Sequence, residues 1–314
     1  MRHVAVPTPA DLDAAAAVVA ERLAPTPLVA APALGEDVWL KLETLQPTGS
    51  FKVRGGLAAL ARLGGEPVVT ASAGNAGLGV AWAASALGVR ATIVVAETAS
   101  PAKVAALEAL PVTLVRHGDD YDAAEAHALT LAGATYVSSY NDTGLIAGQA
   151  SIGRELDARF RGPLTVIAPT GGGGLAAGLG LWAAQRTGGG ARVVAVEAER
   201  SRAMSTALAA GELTPVVVGD TIADGLAGNI EPGSVTFPLV RDHVAAVVQV
   251  SEAEIEEGIR FLARAHGVVA EGAGAAGAAA VMTGRVASGD GPIVVVVTGR
   301  NIALPRLAAV LGAA

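Results

Sequence analysis

No cysteine occurs anywhere in the 314 residues. That absence removes disulfides, thiolate nucleophiles and Cys-based metal sites, and a reducing cytoplasm is the expected location. Aromatic residues make up only 3% of the chain, which argues against large ring anchors and for close packing of helices on sheets by small side chains. No cluster of Lys or Arg stands out and the formal net charge is −7, so the electrostatic footprint that neutralises a phosphodiester backbone is missing and nucleic acid is not an expected partner. Long hydrophobic runs are missing too. Apolar stretches such as Ile293 to Val297 are bounded by Gly and Pro and fall far short of the ~20 residues of a membrane-spanning helix. Met1 to Ala10 has one Arg and no apolar core, unlike a signal peptide. The five histidines show no metal-ligand spacing, so no metal site is expected, and no serine sits in a nucleophile elbow.

What is present is a chain with 52% hydrophobic residues, large enough for one elaborate or two intimately packed domains. Short β-branched runs alternate with Ala-rich stretches of helical length. The pattern predicts strands at Val38 to Leu42, Val68 to Thr70, Ala91 to Val95, Val112 to Val115 and Thr135 to Val137, with helices at Ala76 to Leu87, Pro101 to Leu110 and about Tyr121 to Ala132. A second series follows: a helix near Gly148 to Phe160, strand Leu164 to Ala168, helix Leu175 to Gln185, strand Arg192 to Glu197, a stretch around Val216 to Ile222, helix Glu252 to His266 and strand Ile293 to Val297. This is the βαβ rhythm of an α/β protein with mostly parallel sheets flanked by helices. Ser251 ahead of Glu254 resembles a capping box, and Ser100-Pro101 places Pro in a first turn. No Pro-, Ser- or charge-rich linker separates the two series, so the lobes share an interface, where ligands of α/β proteins gather.

Four segments stand where a strand ends or a helix begins. Thr48 to Gly55 carries Lys52 between Phe51 and Val53; a partly desolvated lysine has an accessible neutral amine suited to Schiff-base chemistry. A solvated surface lysine is the ordinary alternative. Ser72-Ala73-Gly74-Asn75-Ala76-Gly77 opens an Ala-rich helix, a natural place for a carboxylate, although a plain N-cap and turn reads equally well. Pro169-Thr170 and the four glycines Gly171 to Gly174 precede Leu175; free amides and the helix dipole at such a loop make a phosphate the natural guest. Thr298, in Val297 to Asn301, could present a neutral hydroxyl to a ring nitrogen. Gly171, Gly173 and Ala176 also partly match a dinucleotide fingerprint, with Glu197 about where a ribose-binding carboxylate would stand, so an NAD-binding enzyme is a rival on this pattern.

Taken in order, seven segments resemble the fold type II pyridoxal-phosphate (PLP) enzymes, nearest the threonine/serine dehydratase branch related to serine racemase: Gln46 to Lys52, Ala71 to Asn75, His117 to Asp122, Ile146 to Gln149, Gly171 to Leu175, Thr221 to Gly225 and Glu271 to Gly274. The resemblance implies a two-lobed fold like that of the tryptophan synthase β chain. A large PLP-binding domain would comprise residues 1–65 and 140–314, with a small inserted domain at 66–139. It implies that Lys52 carries the cofactor as a Schiff base and acts as the base at Cα. Asn75 would bond the phenolic oxygen, Gly171, Gly172, Gly173, Gly174 and Leu175 would cradle the phosphate, Phe51 would pack beside the ring, and Thr298 would face the pyridine nitrogen. Ser72, Ala73, Asn75, Ala76, Gly225 and Glu271 would line the substrate site.

The activity implied is a lyase that converts a β-hydroxy amino acid such as L-threonine or L-serine to a 2-oxo acid and ammonia. The alternatives are β-replacement or a threonine synthase-like reaction, and a catalytically silent PLP-binding protein. A small amino acid is the expected partner, and a homodimer the expected assembly. Ala73 stands where racemases carry a serine, so efficient racemisation is not expected. Ala76 replaces a common histidine, and Thr298 to Asn301 replaces Ser-Gly-Gly-Asn, which is expected to bring the Arg300 cation near the ring. Ala203 stands six residues after Glu197 where metal-dependent relatives carry an acid, so the divalent site is expected to be lost. The chain stops at Ala314, leaving no room for a regulatory domain, and a constitutive or catabolic role is the expectation.

Overall fold

In the computed structural model, which describes residues 3–286, 289 and 291–313, strands and helices alternate along nearly the whole chain. Helix α1 (Pro9–Arg22) starts at Thr8, whose hydroxyl and backbone exchange hydrogen bonds with Asp11 in a reciprocal box. It leads to the antiparallel pair β1 (Leu28–Ala30) and β2 (Val38–Leu42). Helix α2 (Lys52–Arg62) precedes β3 (Val68–Ala71), α3 (Asn75–Leu87), β4 (Ala91–Val95), α4 (Pro101–Glu108), β5 (Thr113–Arg116), α5 (Tyr121–Thr130) and β6 (Thr135–Tyr136). Strands β3 to β6 form a parallel sheet in the order β5-β4-β3-β6.

The chain continues through α6 (Thr143–Asp157), β7 (Thr165–Pro169), α7 (Gly174–Gln185), β8 (Arg192–Ala198), α8 (Ala203–Ala210), α9 (Thr236–His243), β9 (Ala246–Val250), α10 (Glu252–His266), α11 (Gly272–Met282), β10 (Ile293–Val297) and α12 (Leu304–Gly312). Six strands form the second sheet in the order β1-β2-β10-β7-β8-β9, parallel everywhere except β1 against β2.

Strand β10 reads Ile-Val-Val-Val-Val because both of its faces are covered, as a central parallel strand requires. Val294 and Val296 join one apolar cluster with Leu12, Ile152 and Trp182, while Val295 and Val297 join another with Ile255 and Ile259 on the opposite face. Trp182 is fully buried and donates its indole N–H to Asp157 Oδ2 at 2.8 Å, so it adds about 3 kcal/mol of apolar burial without orphaning its polar atom. The scarcity of aromatics has its counterpart in helix contacts made by glycine: a Cβ on Gly178 would lie 2.5 Å from the Ile146 carbonyl oxygen, so α6 and α7 approach more closely than larger residues allow.

The helix expected from about Gly148 begins at Thr143, because Asp142 accepts the Leu145 N–H as its N-cap. The stretch Val216 to Ile222, which the pattern left unassigned, forms neither helix nor strand, with Val217 97% exposed, and β9 takes the edge position of the larger sheet. Parallel strands within each sheet bring the loops after β2, β7 and β10 to one end, and those after β3 likewise.

Candidate active site

Lys52 opens α2 because the chain just ahead of it is pinned to the end of β10. Ser50 pairs with Gly299 in an isolated antiparallel bridge, and the Phe51 N–H donates to the Thr298 carbonyl at 3.0 Å. Two residues after Lys52, the Arg54 side chain is fully buried. Its Nε and Nη2 donate to the two carboxylate oxygens of Glu43 at 2.8 and 2.9 Å, and its Nη1 donates to Glu155 Oε1 at 2.6 Å. The Lys41 ammonium also pairs with Glu155 and donates to the Thr26 carbonyl at 2.7 Å. Burial opposes the charged form of Glu43, but the Arg54 guanidinium outweighs it and holds the carboxyl below its ordinary pKa. The first turn of α2 is thereby clamped from beneath.

Lys52 is half-buried, and its Nζ donates to the Ser139 carbonyl at 2.7 Å. The ring of Phe51 lies beside it, with Nζ 5.4 Å from the centroid. Desolvation pushes the amine down to about 8 against the pull of the Glu271 carboxylate. Glu271 moves the other way, pushed up to about 7 by its own burial and then by Asp224. Glu271 is the N-cap residue of α11. Its Oε1 accepts from Asn75 Nδ2 at 2.6 Å. Asn75 is the first residue of α3, and in the loop before it Ser72 Oγ accepts the Gly74 N–H at 3.1 Å.

The glycine quartet follows β7. Gly173 has φ +89°, the left-handed region that a Cβ disfavours. A Cβ on Gly172 would lie 2.4 Å from the Tyr140 ring, and one on Gly174 would lie 2.8 Å from the Tyr140 carbonyl oxygen. Among the described residues the N–H groups of Gly171, Gly172 and Gly173 have no protein acceptor, and those of Gly174, Leu175 and Ala176 stand in the first turn of α7, where no intrahelical partner exists. This backbone admits no side chain and presents donors, which suits a phosphate.

All of these residues line one cavity of about 820 Å³: Phe51, Lys52, the Ser72 to Ala76 loop, the quartet with Leu175, and Gly225, Glu271 and Thr298. The site residues named from sequence, drawn from both sheets' loops, therefore share a single space. Thr298 is 3% exposed, and its hydroxyl makes no hydrogen bond among the described residues. The set fits PLP: an amine of depressed pKa, a donor-rich glycine loop and an unpartnered hydroxyl border the same cavity.

Arg300 stands otherwise than expected. Its Nη1 donates to the Thr44 carbonyl and Arg300 does not line the cavity, so the substitution brings no cation to the ring position. Glu197 is also committed: its carboxylate accepts the Met204 and Ser205 N–H groups at 2.7 and 3.0 Å, leaving it engaged at the start of α8 and not poised for a ribose. Several cavity residues had no role on sequence grounds. Ser139 and Tyr140 follow β6 with no motif to mark them, Asn301 lies in a quoted segment without an assignment, and Lys103 Nζ meets Asp224 Oδ2 at 2.8 Å. Asp224, inside the Thr221 to Gly225 segment, and Tyr121 and Asp122, inside His117 to Asp122, lie in motif segments that could have marked them.

Residues 19–299 match the family described as pyridoxal-phosphate dependent enzyme. The L-threonine ammonia-lyase of Thermotoga maritima is 38% identical over 275 residues, covering 85% of this chain and 68% of that protein. The catabolic L-threonine dehydratase of Staphylococcus aureus is 34% identical over 316 residues, covering 96% and 91%. Among solved structures, maize serine racemase superposes with a TM-score of 0.89 at 27% identity, covering 96% of each chain.

Proposed function

This chain belongs to the family of pyridoxal-phosphate dependent enzymes, and from that premise we propose that it is a hydroxy amino acid dehydratase. It takes a β-hydroxy amino acid such as L-threonine or L-serine to a 2-oxo acid and ammonia. One observation carries the reading: the Lys52 amine, with its pKa near 8, borders the same cavity as the donor-rich glycine quartet. Relatives named threonine ammonia-lyase and threonine dehydratase support it. The four strands at 68–136 support a smaller lobe at residues 66–139. A homodimer and a cytoplasmic location remain part of this proposal.

PLP supplies an electron sink that acidifies the α-proton of an amine joined to it. The chain's own groups divide the rest of the work. Gly171 to Leu175 would hold the phosphate through backbone N–H groups at the positive end of α7. Lys52 would be the residue that holds PLP covalently, and its amine, with a pKa near 8, is suited to take up and return a proton at the substrate Cα near neutral pH. Thr298 would offer the ring nitrogen a neutral hydroxyl, which would not favour a charged ring and would suit elimination over longer-lived carbanion chemistry. The loop from Ser72 to Ala76, at the N-terminus of α3, receives the substrate carboxylate. Glu271 and Gly225 bound the side-chain space.

The test is release of 2-oxo acid from L-threonine and L-serine, with and without an added thiol. Steady release without the thiol is expected. Product only in its presence would replace the dehydratase with a β-replacement enzyme. A purified protein with no visible cofactor band, before or after added PLP, would end the enzyme reading.

A further inference from the structure

Three amides and a carboxylate lie head to tail beside the cavity. Asn301 Nδ2 donates to the Thr48 carbonyl at 2.8 Å and to Asn75 Oδ1 at 2.6 Å, and Asn75 Nδ2 donates to Glu271 Oε1 at 2.6 Å. This series has one direction. The Thr48 carbonyl is a peptide oxygen that only accepts, so turning the Asn301 amide over would set two oxygens against each other. With Asn301 fixed as a donor, the Asn75 carboxamide must present its oxygen to Asn301 and its NH₂ group to Glu271. One Nδ2 hydrogen serves Glu271, and the second is left for a guest of the cavity, which Asn75 lines.

We propose that Asn301 is a positioning residue: by donating to Asn75 Oδ1 it fixes the orientation in which Asn75 gives the cavity a hydrogen-bond donor and not an acceptor. The inference rests on the proposed cofactor site, where the electron-rich phenolic oxygen of PLP is the group that needs this donor. Polarity passes from a backbone carbonyl, which does not titrate, through two side chains to the cofactor. Asn301 itself is exposed, in the loop after β10, so its replacement disturbs little packing.

The experiment compares the holoenzyme with Asn301→Asp and Asn301→Ala. Three quantities are read: the balance between the long-wavelength and near-ultraviolet cofactor bands, the dissociation constant for PLP by equilibrium dialysis, and the thermal midpoint. Asp is nearly isosteric but, when ionised, only accepts, so Asn75 turns its NH₂ group toward residue 301 and its oxygen toward Glu271 and the cofactor, and Glu271, whose pKa is pushed up to about 7, takes up the proton that this contact needs. Asn301→Asp is expected to shift absorbance toward the near-ultraviolet band and to weaken PLP binding about tenfold or more, the worth of a hydrogen bond to a charged group. Asn301→Ala, which leaves the Asn75 amide held by Glu271 alone, is expected to show a smaller change of the same sign. The midpoint of Asn301→Ala should stay within about 2 °C of wild type, since little is buried there. If the Asp variant does not fold, the Ala variant alone decides. Unchanged bands and PLP affinity in the folded variants would overturn the role of Asn301 while leaving the cofactor site intact. A wild-type protein that binds no PLP would overturn both.

Discussion

The Lys52 Nζ donates to the backbone carbonyl of Ser139 at 2.7 Å, joining the start of α2 to the segment leaving β6 across 87 positions of sequence. A neutral carbonyl is a poor counterpart for a full positive charge, so the contact orients the amine without holding it protonated. Desolvation then brings its pKa to about 8.

Cofactor uptake is expected to follow this value. Only the neutral amine attacks an aldehyde, and its fraction grows as pH rises through the pKa. The rate at which cofactor-free protein recovers the visible band on adding PLP should therefore climb between about pH 7 and pH 9 and then level off. A rate still rising steeply past pH 10 would show a lysine with its ordinary value of 10.5.

Replacing Lys52 by Met is expected to separate activity from stability. Turnover should fall by a factor of about 10² to 10⁴ or more with loss of the proposed attachment point and base. Stability of the cofactor-free protein should rise. The folded-state pKa is depressed, so the unfolded chain binds the proton more tightly, and the amine destabilises the fold below pH 8; that penalty fades as pH rises from 8 toward 10.5. Discounted for partial exposure, the gain at neutral pH is on the order of 2 kcal/mol by urea denaturation. A loss of stability would mean that the lysine is not desolvated.

Gly172→Ala is expected to damage the proposed phosphate loop directly. The new methyl would stand 2.4 Å from the Tyr140 ring, whose hydroxyl accepts the Glu231 N–H at 2.7 Å. Either the ring or the loop must move, at about 1–3 kcal/mol. PLP affinity should drop about tenfold or more, measured by dialysis. Unchanged affinity would separate this loop from the cofactor.

Arg54→Met is expected to cost about 3–5 kcal/mol, because it leaves the Glu43 carboxylate buried without its partner. Adding Glu43→Leu should recover part of that loss, measured as the urea midpoint of both variants. A double variant no more stable than Arg54→Met would show that the clamp acts through Glu155 and not through Glu43.

Elements with a single strong period are legible in the amino-acid sequence. Strand β10 and helix α10, with its Ser251 and Glu254 capping box, stand where pattern and capping chemistry put them. Helix α2 is not legible as a helix, since Gly55 and Gly56 interrupt it; both are needed because α3 and α6 pack against it, with a Cβ on Gly56 only 2.7 Å from the Gly79 carbonyl oxygen. Helix α11, Gly272 to Met282, is hidden because all-round burial leaves it without an amphipathic face. Likewise the site residues found from sequence are those in glycine- or lysine-bearing motifs. Ser139 contributes a backbone carbonyl, which no side-chain pattern announces, and Asn301 acts through a partner distant in sequence.

Strand order places β10 between β2 and β7, so a strand synthesised late fills the middle of the larger sheet. A nascent chain that has already exposed Lys52 and the glycine quartet still lacks the strand on which Ser50 and Phe51 are pinned. The ribosome must release residues up to about 301 before these parts meet. A chain broken off before β10 therefore lacks the strand that anchors the start of α2.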